Sequence, residues 1–166
     1  MPSNPDDTAA ETVPLLRRLL PPASAVDAQR FVHELDLAKR ASAGPPSRPY
    51  LALNMISSGD GRATLGGRSG PLGGRADSQL LHALRTTVDA VMAGAGTVRA
   101  ERYSRLVCEE SDRKIRRARG LSEEPLVCVV SGRLALNEDI PLLADPAARV
   151  AILTASEASL PQECQA

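Results

Sequence analysis

Hydrophobic positions along the chain fall into short, separated runs. Residues 50–56 (YLALNMI) form a continuous apolar run with the length of a buried strand. Val88 to Ala93, Leu126 to Val130 and Arg149 to Thr154 predict a second, third and fourth strand. Between the first two runs, Leu80, Leu84 and Val88 follow a four-residue stripe that Leu81 widens, which predicts a helix capped by Asp77. Arg85 sits at the edge of that stripe. Upstream, Asp27 is placed to cap a short helix with Phe31, Val32, Leu35 and Ala38 on one side. Residues 109–124 are rich in charge and read as a solvated loop or surface helix. Strands alternating with helix-length spacers predict an α/β fold with a parallel sheet.

At 166 residues the chain has the size of one domain, or of one domain with a tail. Seven of its 13 prolines lie in the first 46 residues, so 1–24 and 41–48 read as tail and linker. The expected division is a Pro-rich extension with a short helix over 1–47 and the main domain over 48–166. Aromatic residues make up 2% of the chain, too few for a base-stacking nucleic-acid platform. The formal net charge is zero, so no global field draws nucleic acid or anionic lipid. No apolar run has the length of a membrane span and no signal-type segment opens the chain, which points to the cytoplasm. Cys108, Cys128 and Cys164 are odd in number and form no CxxC pair, as expected of idle thiols in a reducing compartment. No metal site is expected: His33-Glu34 would need a second histidine at position 37, which is Leu37.

Candidate chemistry gathers at the ends of the predicted strands, where open parallel sheets bind ligands. Ser57-Ser58-Gly59-Asp60-Gly61, Gly94-Ala95-Gly96-Thr97, Ser131-Gly132-Arg133 and Thr154-Ala155-Ser156 each follow a strand directly. Small hydroxyl residues and glycines there offer backbone N–H groups and short donors to phosphate. Nine of the 12 glycines fall between Gly59 and Gly96. GAGT is not a dinucleotide-binding fingerprint, because the third glycine is replaced by Arg99. Asp60 caps a turn or orients a ligand, and Ser69 sits in a glycine-rich loop. Arg85 is either a surface side chain or a guanidinium for a phosphate or planar ring. His82 and the basic run Arg113 to Arg119, flanked by acids, read as solvated surface.

Taken together, LALNMISSGDGRAT, GRSGPLGG, the helix ending Leu84-Arg85, DAVMAGAGTVRAE and PLVCVVSGRL occur in an order and spacing that resemble a known family. It is the C-terminal reductase domain of the bacterial bifunctional riboflavin-biosynthesis deaminase/reductase, in particular the stand-alone pyrimidine reductases of actinobacteria. The resemblance covers roughly residues 48–154, and the near-exclusive use of arginine over lysine suits a GC-rich genome. It implies a dihydrofolate-reductase-like, mostly parallel sheet flanked by helices. It implies NADPH as cofactor, a phosphorylated pyrimidine as substrate and a homodimer as assembly, with no nucleic acid or membrane partner. The implied reaction reduces 5-amino-6-(5-phosphoribosylamino)uracil to its ribitylamino counterpart. Ile56, Thr97, Glu101 and Ser131 align with cofactor contacts, in company with Gly94 and Gly96 of the strand end. Ser69 and Arg85 align with substrate contacts, and Asp60 lies at the mouth of the site as the catalytic-loop candidate. Pro71 stands where the family often has an aromatic residue, and Arg105 is the nearest arginine to one the family carries after the Glu101 loop. The family's zinc deaminase domain and its C-terminal EGG-containing turn have no counterpart, so the C-terminal part of the fold is expected to be missing. Alternative readings are a catalytically inactive nucleotide-binding module and a reductase of a dihydrofolate-type substrate.

Overall fold

The computed structural model describes residues 13–19, 22, 24–137 and 139–155. Cys164, Ser156 and the tail residues 1–12 lie outside them.

Helix α1 (Ala28–Leu35) begins where the sequence places it, because the Asp27 carboxylate accepts the Arg30 amide at 2.8 Å. It ends early. Asp36 turns left-handed (φ 44°) and caps a separate helix α2 (Leu37–Ser42). Ala38 therefore leaves the expected stripe and is exposed. Ala28 and Val32 of α1 bury themselves against Ala83, with Leu80 and Leu84 alongside, all on α3 (Arg75–Arg85). That contact holds the N-terminal extension on the body. Helix α3 starts at Gly74, one turn's edge before Asp77, so Asp77 does not cap it. The carboxylate sits inside the first turn, where the helix dipole favours it.

The sheet has three parallel strands in the order β1 (Ala90–Gly94), β2 (Leu126–Val130) and β3 (Val150–Leu153). Helix α4 (Ala95–Ala100) leaves β1 directly, α5 (Glu110–Ala118) precedes β2, and the short α6 (Pro141–Ala144) precedes β3. Register aligns Val91 with Val127 and Val150, and Ala93 with Val129. These residues face a core shared with Ala95, Val98, Leu106, Ile140 and Leu142. Fully burying a valine, leucine or isoleucine side chain contributes about 1.5–3 kcal/mol, and an alanine methyl less. The other face carries Met92, Val130 and Leu153, which are 58%, 44% and 45% exposed. Among the described residues, one face of the sheet is covered.

Two expectations need correction. The run 50–56 forms no strand: Leu51, Leu53 and Met55 are 73%, 89% and 68% exposed. Strand β1 pairs with β2 alone among the described residues, and the run is placed in no ladder, so its apolar side chains stay in solvent. The basic stretch 113–119 is not a solvated face throughout. Helix α5 has a single aliphatic residue longer than alanine, Ile115, and turns Arg116 inward until it is wholly buried. Arg116 Nε donates to Ser122 O at 2.6 Å, and Nη1 donates to both Val88 O (2.8 Å) and Arg85 O. One guanidinium thus ties the end of α3, the entry to β1 and the turn before β2. Burial pushes its pKa below the ordinary arginine value. No helix among the described residues is long and apolar enough to cross a membrane.

Candidate active site

Parallel register sets Gly94 beside Val130 and Val130 beside Leu153, so the residues after all three strands share one rim. Adjacent strands lie about 4.8 Å apart. Gly94, Gly96, Thr97 and Ser131 are therefore neighbours on that rim. Gly94 caps α4 without any side-chain acceptor, and Gly96 and Thr97 in the first turn are exposed. A Cβ built at Gly94 or at Gly96 would meet nothing within 4 Å. There is open space beside the backbone at both positions. Ser131 is 5% exposed and spends its amide on Leu153 O at 2.9 Å, leaving its hydroxyl for any ligand.

Helix α4 carries the rim to the glycine-rich loop. The Glu101 amide donates to Thr97 O at 2.9 Å. The Glu101 carboxylate crosses to that loop: Oε1 accepts the Ser69 amide at 2.6 Å and the Ser69 hydroxyl at 3.1 Å, and Arg68 Nε lies 3.5 Å from Oε2. The loop presents itself through a turn, Leu65 to Arg68, whose Gly66 (φ 60°) and Gly67 (φ 81°) occupy the left-handed region that a side chain would disfavour. A 3-10 turn, Gly70–Leu72, follows Ser69. Ser69 and Glu101, given separate substrate and cofactor roles by resemblance, are in direct contact.

The Ser69 amide is the main cause that holds the Glu101 carboxyl below its ordinary value near 4.5; burial opposes it, and the Ser69 hydroxyl and Arg68 add to the lowering. The sign follows from the depressed folded value. The loop's attachment is fully present above pH 4.5 and is lost as pH falls through the lower folded pKa. Amide exchange of residues 66–74, corrected for intrinsic rates, is expected to accelerate on acidification below pH 4.5. Glu101→Gln removes that pH dependence, and an unchanged acid profile in the variant would contradict the assignment.

Arg85 is placed apart from the rim. Its carbonyl and that of Val88 share Arg116 Nη1, and Val88 lies before β1. Six residue steps from Val88 to Gly94 span about 20 Å. The half-buried guanidinium points toward the 103–108 segment, with Nη1 3.5 Å from Leu106 O and with Tyr103 and Cys108 beside it. Burial lowers its pKa, against the pull of Tyr103 and Cys108. Residues 101–103 thus link the Ser69 contact to the Arg85 neighbourhood.

The remaining candidates have local roles. Asp60 closes an exposed turn: Ser58 Oγ donates to Oδ1, Arg62 Nε donates to Oδ2 at 3.1 Å, and Gly61 stands at φ 82°. The Ser58 hydroxyl is the main cause that lowers the Asp60 pKa. Ile56 is half-buried just before that turn, and His82 is exposed on α3. Arg105 is committed to Glu124 (3.4 Å) and Asp145 (3.5 Å). Glu124, read from the sequence as one of the solvated acids flanking the basic run, is buried and shared with Arg113; the excess of arginines over apolar residues on α5 is the signal that could have placed it inside. One small hollow, lined by Arg18, Ser24, Val26, Phe31, Glu34 and Leu35, contains none of these residues.

Comparison with known proteins then places the architecture. The chain superposes on a pyrimidine reductase-like protein from Corynebacterium diphtheriae with a TM-score of 0.59, at 23% identity over 79% of this chain. It spans 63% of that protein's length. The likeness shows a shared, dihydrofolate-reductase-like fold. No curated protein gives a significant match. The profile of the RibD C-terminal domain matches residues 49–164, from just before the exposed apolar run to beyond the last strand, and the chain belongs to that family.

Proposed function

We propose that the chain is an NADPH-dependent pyrimidine reductase acting on 5-amino-6-(5-phosphoribosylamino)uracil, the cofactor lying at the strand rim and the substrate between Ser69 and Arg85. The observation that carries this reading is the junction of Thr97, Glu101 and Ser69, which couples the rim to the glycine-rich loop. The rim suits a nucleotide cofactor, because α4 begins without a side-chain cap, and Gly94 and Gly96 leave room beside the backbone. Gly94, Gly96, Thr97 and the Ser131 hydroxyl would hold it, with Ile56 nearby. A bound nicotinamide supplies the hydride. The chain's own residues bind and orient.

The reaction adds a hydride to C1 of the opened sugar imine and a proton to the attached nitrogen. Arg85, cationic at any working pH, suits the phosphate of the substrate. Ser69 holds a polar group at the other end. Asp60, kept ionised by Ser58 and Arg62, serves as an anchor of the loop at the mouth or as a proton acceptor; donating a proton would require it to be protonated first. A homodimer in the cytoplasm completes the proposal.

Loss of NADPH absorbance on adding the substrate tests the activity. Arg85→Ala is expected to raise KM about 10–100-fold with kcat little changed, since it removes binding and not hydride delivery. Arg85→Lys recovers part of the loss. A KM within about twofold of wild type for the alanine variant removes Arg85 from the substrate site. A second reading, nucleotide binding without turnover, draws on the uncovered run 50–56 and the open sheet face among the described residues. NADPH binding with no oxidation in the presence of substrate would favour it.

A further inference from the structure

This inference deepens the reading above and rests on it. A serine hydroxyl has one proton and two acceptor lone pairs. At Ser69 the proton is already spent. An ionised carboxylate only accepts, so the 3.1 Å contact to Glu101 Oε1 must run from Ser69 to Glu101. The same oxygen takes the Ser69 amide at 2.6 Å, and the Ser69 carbonyl accepts the Leu72 amide at 2.9 Å. Every donor of Ser69 is therefore pointed into the protein. What it has left to offer a ligand is a lone pair.

We propose that Glu101 fixes the direction of hydrogen bonding at Ser69, so that Ser69 recognises an N–H or hydroxyl donor on the ligand and rejects a phosphate oxygen. Two effects act together. A phosphate oxygen meets no proton at Ser69, and it meets the Glu101 charge behind it. Arg68, 3.5 Å from Oε2, is the ion partner of Glu101 among the described residues and is mostly exposed. The basic residues close to Glu101 in sequence turn away: Arg99 donates to Ala135 O and Arg102 to Asp139. The depressed Glu101 pKa keeps the carboxylate ionised at neutral pH. The orientation of the substrate follows. Its ring N–H, amino or sugar hydroxyl groups face Ser69, and its phosphate lies toward the Arg85 guanidinium.

The test uses the full chain, with 5-amino-6-ribitylaminouracil as a phosphate-free probe and inorganic phosphate as competitor. Ser69→Ala is expected to weaken probe binding about tenfold, the size of one hydrogen bond to a polar partner. Glu101→Gln, whose carbonyl oxygen can still accept both the Ser69 amide and hydroxyl, keeps the probe near wild type, whereas Glu101→Ala frees the Ser69 proton and weakens probe binding. The double alanine variant is no weaker than Ser69→Ala alone, because Glu101 acts through Ser69. Inorganic phosphate leaves the probe bound in wild type and begins to displace it in Glu101→Ala. Independent, multiplying losses in the double variant would overturn the proposal, as would phosphate displacing the probe from wild type but not from Ser69→Ala. Amide exchange of residues 66–74 in the ligand-free chain supplies a readout free of the functional reading. Glu101→Ala accelerates it about tenfold or more, and unchanged exchange sinks the role given to Glu101. A wild-type chain that holds this loop protected yet binds no probe overturns the substrate assignment, and the donor preference with it, while the hold of Glu101 on the loop stands.

Discussion

Arg116→Ala is expected to destabilise the chain by about 3–5 kcal/mol, the range for breaking a buried, hydrogen-bonded charge. The side chain has no exposed surface, and its guanidinium supplies the donors for carbonyls in three separate segments. Removing it leaves Ser122 O, Arg85 O and Val88 O without that donor, and opens a cavity under the start of the sheet. It also leaves Glu124 with less positive charge around it. With a urea dependence of about 2 kcal/mol/M, the unfolding midpoint falls by roughly 1.5–2.5 M. Arg116→Lys can reach fewer of these carbonyls and recovers less than half of the loss. Arg116→Met fills the volume without a charge to desolvate, so it is expected to cost less than alanine. An alanine variant within about 1 kcal/mol of wild type would show that the clamp is replaceable.

Gly96→Asp is expected to lower NADPH affinity at least about a hundredfold, roughly 2.7 kcal/mol, while leaving the fold intact. Position 96 is exposed, its Cβ meets nothing within 4 Å, and its φ is not positive. An aspartate in the first turn of α4 favours the helix dipole, so thermal stability is held or raised slightly. Yet it sets a negative charge where the cofactor phosphates are proposed to lie. Gly96→Ala is the control and stays near wild type. Calorimetric titration of the three proteins measures the difference. An affinity for the aspartate variant within about threefold of wild type would move the cofactor away from this rim.

The local elements were legible where local chemistry decides them. Strand β2 lies at Leu126–Val130, as its apolar run indicates, and Asp27 caps α1. What failed depended on distant partners. The run 50–56 has the strand pattern but is not paired to the free edge of β1, and no local pattern decides that pairing. Helix α5 was read from its charges, although an arginine stem fills the space an aliphatic residue would otherwise take. The short α6, which buries Leu142 beneath the sheet, is too brief to show a period.

At the site, the rim was visible because glycine and small hydroxyl residues punctuate each strand end, and parallel register then aligns them. The contact between Ser69 and Glu101 was not visible, since the two residues stand 32 positions apart and nothing local pairs them. The position of the Arg85 backbone at the opposite end of β1 from Gly94 follows from the short connection, residues 86–89, that joins α3 to the start of β1. That separation sets the polarity of the proposed site, with the nucleotide at one end and the substrate phosphate at the other.

The most direct measurement is a backbone-amide NMR titration of the full chain with NADPH. The expected result is saturable shifts at Gly94, Gly96, Thr97 and Gly132, with smaller changes at Ser69 through Glu101. Shifts confined to the hollow around Arg18 and Phe31, or no shifts from a folded chain, would contradict a nucleotide site at the ends of these strands.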